Sequence, residues 1–137
     1  MLVSPAELDA LLDANAFTRG MRVVTLADGA CEIEVPYRPE LDRPGGIVSG
    51  QVYMHAADVA FWLALKTRLG LDDGSLTSSM TTAFLGSAKR EPLRCRAEVL
   101  KVGRRLAYGS AACIAGGRTV THHTLTYVRM GEAQGQA

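Results

Sequence analysis

The sequence has almost no net charge and no long apolar run, and each shortage excludes a class of protein. Its 15 Lys and Arg residues against 14 Asp and Glu leave a net charge of +1, without the basic excess typical of nucleic-acid-binding domains. No run of about 18 apolar residues could span a membrane, and the opening MLVSPAELDA lacks the pattern of a secretory signal. We therefore expect a cytoplasmic protein that binds neither nucleic acid nor membrane.

Cysteine is sparse and scattered. Cys31, Cys95 and Cys113 show no Cys-x-x-Cys spacing, so the sequence suggests neither a zinc site nor a disulfide framework. We interpret all three as small buried hydrophobic residues. His122 and His123 are adjacent on a predicted strand and point to opposite faces, so they do not readily chelate one metal. We expect no metal and no cofactor.

The chain is nevertheless long enough to bury a core without such covalent or metal links. Its 137 residues are 47% hydrophobic, which predicts one domain over residues 1–137, with a core at about 20–129 and a frayed tail at 130–137. Ser4, Pro5 and Glu7 form a capping-box pattern with proline at the first helical position, so a short N-terminal helix is predicted.

Two kinds of pattern follow along the chain. The segments MRVVTLA and ACEIEVPY flank Asp28-Gly29 and predict a β-hairpin. After a loop at residues 38–46, a long helix is predicted from Ser49 or Gly50 to about Gly70.

The second half of the chain has the composition of strands. Four strands are predicted, at residues 76–85, 94–102, 106–114 and 118–128. Their connections are too short for crossover helices, so we expect these later strands to form a meander. The economical assembly is an α+β fold, with one long helix against one strongly curved antiparallel sheet.

One carboxylate interrupts the most apolar helix. In RPGGIVSGQVYMHAADVAFWLALK, residues 43–66, Asp58 is the only acidic side chain. At about 100° per residue, one face carries the usual core stripe. The opposite face carries Asp58 among mostly apolar neighbours, namely Gln51, Met54, His55, Phe61, Trp62 and Leu65. A helix that is apolar all round must be covered on all sides, and we expect another copy of the chain to supply the second cover.

Glycines before this helix suggest a site near Asp58. Gly45, Gly46 and Gly50 place flexible backbone before a helix N-terminus, whose unpaired N–H groups can bind an anion or a polarised carbonyl oxygen. Ser49 also fits a simple N-cap. Asp58 lies two turns further along, so an oxyanion-type site and a carboxylate could face a common cleft. The structural alternative is that Asp58 faces solvent or caps a loop.

The stretches PGGIVSGQVYMHAADVAFWLAL and LTSSMTTAFLGSAKREPLRCRAEVLKVGRRLAYGSAACI resemble the hot-dog fold acyl-CoA thioesterases of the phenylacetate-pathway, or PaaI-like, type, over about residues 20–129. In that family a His-Gly-Gly loop leads into the central helix, and an acid follows about nine residues after the His. Here the phrase around Asp58 matches, nine residues after Ser49. Ser49-Gly50-Gln51 replaces His-Gly-Gly, and Arg43 stands where many members carry Asn.

The resemblance implies a hot-dog fold, with a central helix wrapped by a curved sheet, and a homodimer or dimer of dimers whose active sites lie at the subunit interface. It implies that the thioester carbonyl binds at the N–H of Gly50 or Gln51, and that the partner subunit's Asp58 activates water or attacks directly. Thr77 aligns with a Ser or Thr that orients water in some relatives, although strand propensity alone explains it equally well. Gly46, Met54, His55, Trp62, Ser78 and Ser79 are further candidates for contact with substrate, and Met54 and Trp62 fit an acyl pocket or an interface equally well.

Positive charge is concentrated in one part of the chain. Between residues 89 and 105 lie seven of the 15 cations against two acids. Lys101, Arg104 and Arg105 flank a turn at Gly103 and are the best candidates to bind the phosphates of acyl-CoA. The alternative is a solvated strand edge whose cations discourage aggregation.

Two other functions remain open from the sequence. His55 and Asp58 have the i, i+3 spacing of helical neighbours, and hot-dog hydratases and dehydratases use a His with an acid to move a proton and a hydroxyl. Because the His-Gly-Gly loop is altered, the domain could instead bind acyl-CoA or another apolar ligand without hydrolysing it.

Overall fold

The computed structural model describes residues 1–130, so the predicted frayed tail lies almost entirely outside the described residues. Two α-helices occur in this range, α1 at Pro5–Ala14 and α2 at Gly50–Leu69, together with a 3-10 turn at Pro39–Leu41. The strands are β1 at Arg22–Ala27, β2 at Ala30–Val35, β3 at Asp42–Arg43, β4 at Ile47–Val48, β5 at Leu76–Phe84, β6 at Leu93–Val102, β7 at Leu106–Ala115 and β8 at Arg118–Val128.

The predicted N-terminal helix is confirmed with its cap. The Glu7 N–H donates to Ser4 Oγ at 3.2 Å, and the Ser4 N–H donates to Glu7 Oε1 at 3.0 Å. These reciprocal bonds satisfy two of the N–H groups that a helix start leaves without partners. Leu8 and Leu12 are fully buried, and they fix the helix against the rest of the core.

Six strands form one antiparallel sheet in the order β1-β2-β6-β7-β8-β5. The predicted hairpin between β1 and β2 is confirmed, and its Gly29 adopts a φ of +76° that favours glycine. The predicted meander is correct for β6, β7 and β8 but wrong for β5, which pairs with β8 at the far edge of the sheet.

The link between β5 and β6 explains this difference. The two strands run in opposite directions, so the end of β5 and the start of β6 lie at the same end of the sheet. They are three strand spacings apart, about 14 Å. The eight connecting residues, 85–92, can reach about 26 Å when extended, so the crossover needs no helix.

The sheet wraps α2, which gives the predicted α+β, hot-dog architecture. It covers more of the helix than the sequence predicted. Phe61 and Leu65, expected on the face that a second copy would cover, are 0% exposed within the single chain. Met54 is 39% exposed, Gln51 is exposed, and His55, Asp58 and Trp62 are half-buried. The unpartnered part of α2 is therefore a narrower strip around Asp58.

The three cysteines are all buried, as predicted. Burial raises the pKa of the Cys31 thiol to about 12, which makes it unreactive near neutral pH. His122 is exposed and His123 is fully buried, so the two rings lie on opposite faces of the sheet.

Close approach between α2 and β7 depends on Gly109. A Cβ atom at this position would overlap the Phe61 ring and the carbonyl oxygen of Glu98. The Phe61 ring in turn meets the Tyr127 ring edge-on, with 5.1 Å between centroids. The absence of a side chain at Gly109 therefore leaves space for the Phe61 ring, and the Phe61 ring packs against that of Tyr127 on β8.

Gly109→Ala is expected to destabilise the fold by about 2 kcal/mol or more, because a core overlap with backbone on one side cannot be relieved by side-chain rotation alone. Urea denaturation measures the change. Gly86→Ala is the matched control, since its added methyl would lie 3.6 Å from the nearest atom and should change stability by no more than about 0.5 kcal/mol. Equal effects at the two positions would contradict the packing argument.

Candidate active site

Asp58 is held by side chains from two strands. Its Oδ1 accepts hydrogen bonds from the Thr77 hydroxyl at 2.8 Å and from the Tyr127 hydroxyl at 2.6 Å. The Tyr127 oxygen also lies 3.1 Å from the Asp58 backbone carbonyl oxygen. The half-buried carboxylate is therefore hydrogen-bonded to the wrapped sheet and does not simply face solvent.

A β-bulge brings Thr77 to Asp58. Thr77 pairs with Tyr127 and Ser79 with Thr126, which leaves Ser78 as the extra residue. Met80 is partly buried against the core, so its side chain lies on the helix side of the sheet. Side chains alternate along a regular strand, so without the bulge Thr77, three residues earlier, would lie on the opposite side. The bulge turns Thr77 to the helix side of the sheet. The two predicted serines, Ser78 and Ser79, are exposed and do not line the cavity beside Asp58.

A cavity of about 230 Å³ opens beside the carboxylate. Besides Asp58, Thr77 and Tyr127, its walls are His55, Val59, Trp62, Ser75 and Leu76. One wall is thus polar and hydrogen-bonded, and the rest is mostly apolar. Trp62 also carries the Lys66 ammonium group 4.9 Å above its ring centre, which favours a fixed indole position.

Tyr127 is the site residue that the sequence did not reveal. It is 2% exposed, and burial, reinforced by the neighbouring Asp58 carboxylate, raises the pKa of its phenol well above the usual value. Tyr127 therefore keeps its proton and remains a donor. The sequence shows only a tyrosine on the last predicted strand, and no local pattern pairs it with residue 58.

The N-terminus of α2 has free backbone donors. Ser49 is the N-cap residue, but its side chain makes no capping hydrogen bond. The Ser49 N–H donates to the Leu41 carbonyl at 2.9 Å, and the Val52 N–H donates to the Ser49 carbonyl at 3.0 Å. The first N–H groups of a helix have no intrahelical acceptor, and no acceptor among the described residues lies at the N–H groups of Gly50 and Gln51. The Phe84 ring lies beside Gly50.

Gly46 and Gly45 lie elsewhere in this region, at the turn between β3 and β4. Both have positive φ values, +80° and +105°, and the Gly46 N–H donates to the Arg43 carbonyl at 3.2 Å. Their glycine requirement is explained by the turn conformation, while Gly46 as a substrate contact stays a prediction.

The carboxylate and the free N–H groups of one chain lie in separate places. Gly50 and Asp58 are eight residues apart, which is about 12 Å along the helix axis. Gln51 lines a larger cavity of about 760 Å³, with Phe17, Val52 and residues from the end of β2, whereas Asp58 lines the smaller one. Only His55 belongs to both. Within one chain, the common cleft expected from the sequence is thus divided.

His55 lies between the two cavities and bonds to neither Asp58 nor Thr77. Its Nε2 donates to the Phe17 carbonyl at 2.8 Å, and the two rings meet edge-on at 6.1 Å. A hydratase would need the His and the acid to act together on one substrate. The contact with Phe17 instead explains His55 as a packed residue.

Five of the seven cations in the predicted cluster fall into two separate groups. Arg94 and Arg96 pair with Glu32, each at 3.2 Å, on the outer face of the sheet. Lys101, Arg104 and Arg105 are exposed around the turn between β6 and β7. Leu106 pairs with Val128, which also pairs with Leu76, so this turn lies at the same end of the sheet as Thr77 and Tyr127.

In residues 1–130, no three His, Cys, Asp or Glu side chains are grouped closely enough to hold a metal ion. Over the same range, no helix has both the length and the apolar character needed to cross a membrane.

The chain is similar to several known proteins. Residues 45–122 match the model of the thioesterase superfamily. The chain is 27% identical over 112 residues to a protein of Thermoplasma acidophilum provisionally named an esterase, with 80% of this chain and 84% of that protein covered.

Two solved structures are also similar. One is a provisionally named thioesterase of Silicibacter, with a TM-score of 0.81, 27% identity, and 93% of each chain covered. The other is a mutant of the phenylacetic acid degradation protein PaaI of Thermus thermophilus, with a TM-score of 0.73, 25% identity, and 81% of this chain and 94% of that chain covered.

The raised pKa of Tyr127 predicts how stability changes in alkali. The phenol loses its proton near pH 10 in the unfolded chain but keeps it in the folded protein. The contribution of the protonated phenol to the free energy of unfolding is therefore fully present below pH 10 and is lost as pH rises. The loss should be up to about 1.4 kcal/mol per pH unit. Tyr127→Phe has no phenol and so lacks this pH-dependent contribution. Urea denaturation between pH 9 and 11 should therefore show that the free energies of unfolding of native protein and variant approach each other above pH 10. A constant gap would contradict the burial of the phenol.

Proposed function

This chain belongs to the thioesterase superfamily, and we propose that it hydrolyses acyl-CoA thioesters with Asp58 as its essential carboxylate. The observation that carries the proposal is the Asp58 carboxylate, held at one oxygen by Thr77 and Tyr127 beside a cavity. A positioned carboxylate next to a space for substrate is the arrangement that proton transfer or nucleophilic attack requires.

Asp58 can act in two ways. As a general base it takes a proton from water while the water oxygen adds to the thioester carbonyl. The C–S bond then breaks, and the leaving thiolate takes the proton from Asp58 to give the free thiol and the carboxylic acid. As a nucleophile it attacks the carbonyl itself, expels the thiolate and forms an anhydride that water then hydrolyses. In both routes negative charge develops on the carbonyl oxygen, and N–H donors must lie close to it.

Those donors are proposed to come from a second copy of the chain. The Gly50 and Gln51 N–H groups lie about 12 Å and about 10.5 Å from Asp58 along the same helix, too far to act on one carbonyl. A two-fold arrangement that brings the start of one α2 towards Asp58 of the other would complete two identical sites. The altered loop Ser49-Gly50-Gln51 retains this role, because the role needs backbone amides and no particular side chain.

The open edge of β5 favours such an assembly. In the part of the chain that the structure describes, β5 pairs with β8 on one side only, and its sequence LTSSMTTAF contains no charge and no proline. In proteins that stay monomeric, a charged side chain or a proline on an edge strand commonly prevents it from pairing with another chain. Leu76 and Phe84, at the two ends of the strand, are 59% and 56% exposed. We propose that a second copy covers this edge.

The proposed substrate contacts follow from these positions. The acyl group would enter the cavity of about 760 Å³ that Gln51 and Val52 line at the start of α2. Trp62 would contact the substrate beside Asp58. Lys101, Arg104 and Arg105 would bind the phosphates of coenzyme A, since flexible exposed cations at one turn suit a polyphosphate.

Asp58→Asn is expected to lower turnover by about 100-fold or more, the scale of a positioned proton-transfer group. The measurement is free-thiol release from short, medium, long and aryl acyl-CoA esters. Asp13→Asn makes the same chemical change at an exposed position of α1 and should leave turnover unchanged.

If native protein cleaves no ester in this panel, the hydrolase proposal is wrong. Calorimetric titration with the same esters then decides whether the chain is a binding module. If esters are cleaved and Asp58→Asn is unimpaired, the reaction does not depend on this carboxylate.

A further inference from the structure

We propose that Tyr127 is a positioning residue that fixes Asp58 through Oδ1 and thereby selects Oδ2 as the oxygen that reacts. This inference rests on the proposed thioesterase function and adds a residue that neither the superfamily match nor the sequence motif assigns.

The hydrogen-bond pattern gives the two carboxylate oxygens different roles. Both hydroxyl donors, from Thr77 and Tyr127, converge on Oδ1. A tyrosine hydroxyl has one proton to donate, and the ionised oxygen at 2.6 Å is a better acceptor than the Asp58 carbonyl oxygen at 3.1 Å. Within residues 1–130, no side chain donates to Oδ2. The oxygen without a donor is the one that remains able to take a proton from water or attack a carbonyl.

Thr77 and Tyr127 are not equally well placed to hold the Asp58 carboxylate in a fixed position. Thr77 is exposed, on an edge strand and beside a bulge. Tyr127 is 2% exposed on β8, which is paired on both sides, and its ring packs edge-on against the fully buried Phe61. The position of the Tyr127 hydroxyl is thus set by the core, and the hydroxyl transmits that position to Asp58.

A fixed carboxylate matters because proton transfer and attack both need a defined direction. A carboxyl group free to rotate presents Oδ2 to the substrate for only part of the time, and displacements of about 1 Å can lower rates by about 100-fold. The loss of a positioning contact should therefore lower kcat more than it changes KM.

The kinetic test is Tyr127→Phe, which removes the hydroxyl and keeps the ring against Phe61. We expect kcat to fall by about 10- to 100-fold with KM changed by less than about 3-fold. Tyr108→Phe is the matched control, because it removes a hydroxyl from an exposed position on β7, and it should retain native kcat. Circular dichroism at the assay temperature checks that both variants are folded.

A second measurement does not depend on turnover. Carbon-13 NMR of protein labelled at aspartate carboxyls can follow the Asp58 resonance, identified by its absence in Asp58→Asn. A carboxylate that loses a charge-assisted hydrogen bond changes its electronic environment, so at constant pH the Asp58 carboxyl resonance should move in Tyr127→Phe and stay unchanged in Tyr108→Phe.

These measurements separate the inference from the proposed function. A shifted Asp58 resonance together with a lower kcat supports the role of Tyr127. If the native protein cleaves esters and Tyr127→Phe cleaves them equally fast, the role of Tyr127 is overturned and the thioesterase proposal stands. If native protein cleaves no ester, the proposed function fails, and the Asp58 resonance alone then decides whether Tyr127 anchors Asp58.

Discussion

A half-buried carboxylate on a largely apolar helix needs hydrogen-bond donors, and the packing of the sheet against α2 decides which donors reach Asp58. The sheet wraps α2 far enough to bring β8 and β5 to the same carboxylate oxygen. This wrapping needs Gly109, which gives Phe61 room to sit against β7, and Phe61 in turn supports Tyr127. The polar site is therefore a consequence of core packing, and its geometry is as rigid as the core that holds it.

Local features were predictable because they depend on neighbours in sequence. The capping box at Ser4, the hairpin at Asp28-Gly29 and the start of α2 near Gly50 were all found where the sequence predicted them. Asp58 could also be singled out as a carboxylate in need of hydrogen-bond partners, since a single acid in a largely apolar helix is visible without a fold. The resemblance to hot-dog thioesterases gave the correct superfamily.

Features that depend on distant pairing could not be predicted in the same way. The edge position of β5 follows from a link that crosses three strand spacings, and short links alone suggested a simple meander. The bulge at Ser78 turns the Thr77 side chain towards α2, and Tyr127 meets Asp58 only once β8 packs against α2. The burial of Phe61 likewise depends on a glycine 48 residues away in sequence. Each of these is a long-range geometric relation that one sequence does not specify.

The distance between the Gly50 N–H and Asp58 along α2 is the basis of our proposal that two copies of the chain share each site. The direct measurement combines Asp58→Asn with Gly50→Pro. Proline is tolerated at the first position of a helix, so Gly50→Pro removes the N–H and keeps α2, and Ser49 already has the extended backbone that precedes a proline. The added Cβ would lie 3.2 Å from the Phe84 ring, which is 56% exposed and has room to shift. Each variant alone should be nearly inactive. When the two are refolded together in equal amounts, half the dimers contain one of each, with one intact site, and activity should recover to about a quarter of native. If the mixture is no more active than the separate variants, Asp58 and the Gly50 amide do not come from different copies.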